Sequence, residues 1–285
     1  MKLLNSAALP RIDGPLQLKA LVLDWAGTTV DFGSLAPTRT LERVFAAKGV
    51  AVTEAEIRTY MGWPKRVQIG KMLEFPRVAA EWEDAHGTAP TEQDADNIYE
   101  NFIPAQTECL LEYSHVLPGV PEAVEEFRRR GLKIGTTTGY TYDMMQVIIP
   151  AAAKEGYSPD CTVTPGEVGE GRPHPYMVYE NAVRLQVYPM ATIVKVGDTI
   201  SDIHEGLNAG CWSVGVAATG NQLGLSAEEF AALAPVEKAA RLNAVRKELA
   251  EAGAHYVVDS VAELALVLDE IEERLKAGTV KKQVV

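Results

Sequence analysis

An α/β fold built on a doubly wound parallel sheet, with an α-helical cap domain inserted into it, is predicted by three features of the sequence. Short segments rich in Val, Ile and Thr recur along the chain. Helical patterns separate most of them, as parallel strands require. The alternation stops once, between Phe32 and about Tyr113, where the pattern becomes almost wholly helical. A chain of 285 residues is long enough to bury a substantial core. Its composition, 47% hydrophobic and 23% charged, excludes a disordered or fibrous chain.

The strands are expected in LKALVLD (18–24), GLKIGTTT (131–138), DCTVT (160–164), TIVKVGD (192–198) and CWSVGVA (211–217), with AHYVVDS as a last edge strand. PEAVEEFRRR, the stretch from Thr141 to Lys154, PYMVYENAVRLQ and SDIHEGLNA supply the crossover helices, and Pro150 is expected to kink or end its own. Within the insertion, TRTLERVFAAKG, TEAEIRTYMG, PKRVQIGKMLE and a long stretch near DADNIYENFIPAQTECLLE read as helices. Pro118, Gly119 and Pro121 mark the return to the sheet. The chain therefore divides into a core of 15–32 with 114–285 and a helical domain of 33–113. An acidic helical region follows Ala217, VAELALVLDEIEERLKAG is a terminal helix, and the tail TVKKQVV is expected to fray.

The charge balance narrows the function. With 27 Lys and Arg against 39 Asp and Glu, the net charge of −12 argues against a nucleic-acid partner. A small anionic substrate stays compatible, because a closed pocket presents its own local charges. Cys109, Cys161 and Cys211 are scattered, odd in number and outside any metal-ligand spacing, as expected of small buried residues in a reducing compartment. The apolar stretch at the N-terminus is broken by Asn5 and Ser6, and no apolar run is long enough to span a bilayer. No membrane partner and a cytoplasmic location are expected.

In an open parallel sheet, ligands bind beyond the carboxyl ends of the strands. Four positions fall there: Asp24, Thr138, Arg172 in GEGRPHP, and Asp198 with Asp202 in GDTISD. Each has an ordinary reading alone, as a helix cap, a turn residue, a solvated loop charge or a first-turn acid. Together they supply hard oxygen ligands for a divalent cation and donors for a phosphoryl group.

With these residues, DWAGTTVD, MGWPK, GTTTGY, GRPHP and KVGDTISD, the chain resembles the haloacid dehalogenase superfamily over nearly all of residues 18–270. Within that superfamily it is similar to the phosphonoacetaldehyde hydrolases, or phosphonatases. The resemblance implies a haloacid dehalogenase-like core and hydrolysis of the carbon–phosphorus bond of phosphonoacetaldehyde to acetaldehyde and phosphate. It implies Asp24 as nucleophile and Lys65 as the amine that forms a Schiff base with the aldehyde. Mg2+ is expected on Asp24, the backbone carbonyl of Ala26, Asp198 and Asp202. Thr138 and Arg172 are expected to hold phosphoryl oxygens, with Ser34, Met61, Gly62, Gln68 and Gly139 around the substrate. A homodimer through the cap domains is also implied, and TRTLERVFAAKG has apolar spacing that suits either a partner face or packing within the cap.

The departures are informative. Phosphate-ester hydrolases of the superfamily place an acid two residues after the nucleophile to protonate an alkoxide; here that position is Ala26. A carbon leaving group whose electrons pass into an iminium needs no such acid. For Lys65 to attack an aldehyde near neutral pH it must be desolvated or lie beside other positive charge, with Arg66 a neighbouring candidate. The position three residues after Lys65, commonly His in the family, is Gln68, which cannot act as a base. Tyr140 is the candidate to take over that proton relay, and His174 is a loop residue beside Arg172. The alternative is a related superfamily hydrolase acting on another phosphorylated or phosphonate carbonyl compound. A dehalogenase, which needs no metal, is disfavoured by Asp198, Asp202 and Lys65, and a sugar-phosphate phosphatase by Ala26. A degenerate binding protein is disfavoured by the full set of reactive residues.

Overall fold

The computed structural model describes residues 16–277; the N-terminal stretch and the tail read above as frayed lie outside the described residues. Six parallel strands form one sheet: β1 Ala20–Leu23, β2 Lys133–Thr137, β3 Cys161–Val163, β4 Ile193–Gly197, β5 Trp212–Val216 and β6 Tyr256–Val258. Their order is β3-β2-β1-β4-β5-β6, so the sheet grows outward in both directions from β1. All four residues of β1 and all five of β4 are buried, as strands covered on both faces must be.

Register sets the height of the chemistry. Leu23 pairs with Thr136 on one side and Val196 on the other, which brings Asp24, Thr138 and Asp198 off the sheet at nearly one level. The order reverses at β1, the switch point where open sheets hold their ligands.

The insertion after β1 holds five helices, α1 Leu35–Ala46, α2 Glu54–Thr59, α3 Lys65–Leu73, α4 Pro76–His86 and α5 Glu92–Cys109, and a sixth helix then leads into β2. Their starts follow local rules. Thr53 with Glu56 and Thr91 with Asp94 form reciprocal caps, and α4 begins on Pro76 and ends at Gly87 in the left-handed region. The carboxylate of Asp31 accepts from the amides of Leu35 and Ala36 at 3.0 Å each and so caps α1 in place of the Ser34 hydroxyl. Thr38, Thr40, Leu41, Val44 and Phe45 of α1 are buried, and α1 packs on α5. The apolar spacing of TRTLERVFAAKG is thus used within the chain rather than left as a partner face.

The insertion leaves and re-enters the core through adjacent strands of chain. Val30 bridges Val116 antiparallel, the Asp31 amide donates to His115 O at 3.2 Å, and the Leu117 amide donates to Thr29 O at 2.9 Å.

The remaining helices are α6 Val120–Arg129, α7 Tyr142–Lys154, α8 Tyr176–Leu185, α9 Ile200–Asn208, α10 Ala227–Ala232, α11 Pro235–Glu251 and α12 Leu264–Lys276, of which α6, α8, α9 and α11 pack on the strands. Pro150 does not end α7, which continues to Lys154. The buried Met144, Met145, Ile148 and Ala152 hold that helix in place, and this packing outweighs the single backbone hydrogen bond that proline forgoes.

Candidate active site

Asp24, Ala26, Ser34, Met61, Gly62, Lys65, Thr138, Gly139, Tyr140 and Arg172 line one small cavity between the sheet's carboxyl edge and the insertion. Residues more than a hundred positions apart in sequence thus converge on one space.

Asp24 follows β1 and is 5% exposed. Burial raises its carboxyl above the usual range, against the pull of Arg172, while Asp202 adds repulsion. Arg172 is 3% exposed and not a solvated loop charge. Its Nη2 donates to Asp24 Oδ1 at 2.5 Å and to Thr137 Oγ1 at 2.8 Å, lies 3.1 Å from Asp202 Oδ1, and its Nε donates to Glu205 Oε2 at 2.9 Å. A guanidinium held on three carboxylates is fixed in direction, as a phosphoryl-gripping fork has to be.

Asp198 is wholly buried. Its Oδ1 accepts from Thr28 Oγ1 at 3.2 Å and its Oδ2 from the Asn221 amide at 2.6 Å. Burial, then repulsion from Asp24 and Asp202, pushes its carboxyl well up. Gly27 is required beside it, because its φ is +82° and a Cβ there would lie 2.2 Å from Asp198 Oδ2. Asp202 is engaged differently. It takes Lys195 Nζ at 2.5 Å and Thr199 Oγ1 at 2.5 Å and is held below the usual carboxylate range, with Arg172 and Lys195 overcoming the effect of burial.

Oxygen atoms of Asp24, Asp198 and Asp202 lie within 4.8 Å of one another, a spacing that suits one hard cation. The charge balance agrees. Four buried carboxyl groups, Asp24, Asp198, Asp202 and Glu205, share the buried guanidinium of Arg172 and the amine of Lys195, and this excess of acidic over basic side chains suits a bound cation. Lys195 and Glu205 were not among the residues singled out from the sequence. The signal for Lys195 was a lysine inside an otherwise apolar buried strand, which demands partners; Glu205 lies one helical turn after Asp202.

On the opposite wall stands Lys65, the first residue of α3, 5% exposed. Burial is the largest influence on its amine and lowers the pKa to about 7, with Asp24 pulling it up and Arg172 pushing it further down. Arg66 takes no part. It turns outward to ion pairs with Asp96 at 2.5 Å and Glu92 at 2.7 Å. Lys65 Nζ donates to Gln68 Oε1 at 2.7 Å, and Gln68 Nε2 donates to Ile57 O at 2.8 Å, which fixes the amide's orientation.

Tyr140 is buried, and burial raises its hydroxyl well above the ordinary phenol range, with Asp31 and Asp24 adding to the effect. The hydroxyl therefore keeps its proton near neutral pH. His174 lies outside the cavity lining, its side chain half exposed and its ring stacked on Tyr176 at 5.7 Å.

The loop Met61–Pro64 seats the insertion on the core. Ser201 Oγ donates to Met61 O at 3.2 Å; Gly62, at φ +84°, fits where a Cβ would lie 2.3 Å from that hydroxyl. Gly139 fits against the carbonyls of Gly62 and Trp63, each 3.3 Å from where its Cβ would be.

An aspartate at the end of the central parallel strand, with an acidic pair beyond β4 and a buried cation between them, defines a haloacid dehalogenase-like hydrolase. The family of that description matches residues 18–210, and the chain belongs to it. Within it, this is a member of the phosphonoacetaldehyde hydrolase family. It is 47% identical to the phosphonoacetaldehyde hydrolase of Nitratidesulfovibrio vulgaris over 266 residues, 93% of this chain and 94% of that one. It is 43% identical to that of Bacillus cereus over 259 residues, covering 91% and 98%. The crystal structure of a phosphonoacetaldehyde hydrolase like protein from Oleispira antarctica superposes with a TM-score of 0.92 at 39% identity, covering 95% of this chain and 99% of that one.

Proposed function

We propose that the protein hydrolyses the carbon–phosphorus bond of phosphonoacetaldehyde, releasing acetaldehyde and phosphate, with the insertion 33–113 acting as a cap over the core. The observation that carries this reading is a buried lysine with a pKa of about 7 lining the same cavity as Asp24, in a chain whose residue 26 is alanine.

At pH 7 about half of such an amine is neutral. Lys65 attacks the aldehyde carbon, water leaves, and a protonated imine forms. Asp24 then attacks phosphorus. The carbon–phosphorus bond breaks, its electron pair moves into the carbon–nitrogen system, and the products are an enamine on Lys65 and a phosphoryl group on Asp24. The enamine takes a proton at carbon to become an imine, and water releases acetaldehyde from Lys65 and phosphate from Asp24. Arg172 and Thr138 hold the phosphoryl oxygens, and Ser34, Met61, Gly62 and Gly139 shape the space around the two-carbon chain. Tyr140 keeps its proton and is the donor available to the carbonyl end. Gln68 orients Lys65 without exchanging protons, so water carries the remaining transfers.

Mg2+ would be held by Asp24, Asp198 and the carbonyl of Ala26, the carboxylate cluster supporting this, and when bound would offset the excess of acidic groups and polarise a phosphoryl oxygen. Asp202, already bonded to Lys195, Thr199 and Arg172, suits contact through water better than direct ligation. Among the described residues no helix is long and apolar enough to cross a membrane. A cytoplasmic enzyme forming a homodimer through other faces of the cap is the arrangement we infer, and light scattering tests it.

The deciding experiment is incubation with phosphonoacetaldehyde and Mg2+ followed by borohydride. Phosphate release with a two-carbon adduct on Lys65, both lost in Lys65→Arg, supports the reading. Phosphate release from sugar phosphates without an adduct would overturn it. One observation favours the related reading, a different phosphonate carbonyl compound: Gln68 replaces an ionisable side chain with an amide fixed by Ile57. Comparing longer phosphonate aldehydes and ketones separates the two.

A further inference from the structure

Arg58, near the end of α2, has no part in the chemistry above, yet it makes a dense set of contacts between insertion and core. Its side chain is 12% exposed. Nη1 donates to Gly33 O at 3.0 Å, to Asn221 O at 3.2 Å and to Asn221 Oδ1 at 3.0 Å, and Nη2 donates to Gly224 O at 3.2 Å. These acceptors come from two core loops, one following β1 and the other following β5. The fit is close: Gly224 has φ +67°, and a Cβ there would lie 2.6 Å from Arg58 Nε. Its neighbouring carboxylate, Glu54, is 3.8 Å away and half exposed, so neutral oxygens provide most of what holds this charge.

Both ends of the site connect to this contact. Asn221, which takes two of the four hydrogen bonds, donates its own amide to Asp198. Ile57, the residue before Arg58, offers the carbonyl that fixes Gln68, and Gln68 holds Lys65 Nζ. We propose that Arg58 is a positioning residue whose guanidinium seats α2 on the two core loops, so that one contact sets both the Asp198 carboxylate and the Lys65 amine. Closure of the insertion then buries Lys65 only when the phosphoryl end of the site is in register. This rests on the roles proposed above for Lys65 and Asp24.

The test reads Lys65 without relying on turnover. Acetic anhydride labelling near pH 10, scored by mass spectrometry against surface Lys71, measures how often the amine meets solvent. Arg58→Met should raise the Lys65 to Lys71 ratio roughly tenfold or more. It should lower kcat for phosphonoacetaldehyde by a similar factor, and Arg58→Lys should recover part of both. If Arg58→Met does not fold, Gly224→Ala displaces the same side chain from the core side and should expose Lys65 likewise. An unchanged ratio in the folded variant overturns the proposal, as does a raised ratio with unaltered kcat. A wild-type enzyme that borohydride cannot trap would overturn the imine reading, leaving the labelling comparison interpretable.

Discussion

A lysine at the start of a helix is ordinarily a solvated charge; Lys65 differs because the cavity withdraws water from it. Since the neutral amine is the reactive form, the sign follows directly from its pKa of about 7. Imine formation should rise with pH up to about 7 and level above it, where a solvated lysine would keep rising to about 10.4. The rate of borohydride inactivation against pH reads this, and a midpoint near 10 would place Lys65 in water. At this scale, Asp24 stood out in the sequence by its place at a strand end, whereas Ala26 and Lys65 in MGWPK stood out only through the family resemblance. Glu205 and Arg58 were not legible. An acid on an amphipathic helix and an arginine beside Glu54 look like surface charges until the fold shows what faces them.

Among the elements, the loop Met61–Pro64 carries the narrowest tolerances. Gly62 has φ +84° with the Ser201 and Thr199 hydroxyls where a side chain would project. Gly62→Ala should therefore introduce strain of about 1–3 kcal/mol and move Lys65 away from Asp24. A displacement of about 1 Å loses on the order of 10²-fold in rate, so kcat should fall by that scale while the thermal midpoint drops by several degrees at most per kcal/mol of strain. An unaltered kcat would mean that the loop yields freely. All six strands were readable from their patterns, because parallel strands are continuous apolar runs bounded by turn residues, while α4 had not been singled out within the helical insertion. Pro150 does not end its helix, because four buried side chains hold α7 together on both sides of it. The face of α1 was ambiguous for a related reason: apolar spacing says that a face is buried and not what buries it.

Across the whole molecule, the excess of buried acidic groups is a stability matter as well as a catalytic one. A divalent ion that binds the folded state alone stabilises it by about 2.7 kcal/mol at a hundred times its Kd. Mg2+ should raise the thermal midpoint of the wild type, chelation should lower it, and Asp198→Asn should remove most of the response. A midpoint insensitive to Mg2+ in the wild type would mean that protons, and not a cation, balance these carboxyl groups. The architecture was legible as a whole because the single interruption in strand–helix alternation falls directly after Asp24. The seating of the insertion on the core was not, because it depends on carbonyls and glycines at Gly33, Gly62 and Gly224, which carry no pattern in sequence.

The isolated bridge between Val30 and Val116 gives the insertion a single doorway. Replacing 33–114 with a short glycine bridge should therefore leave the six-stranded sheet able to fold, with far-ultraviolet dichroism retaining its α/β character. Such a truncated chain would keep Asp24 and lose Lys65, so it should accept phosphate from an activated donor such as acetyl phosphate while ignoring every aldehyde. The two chemistries proposed for the intact protein would then become separable in one deletion.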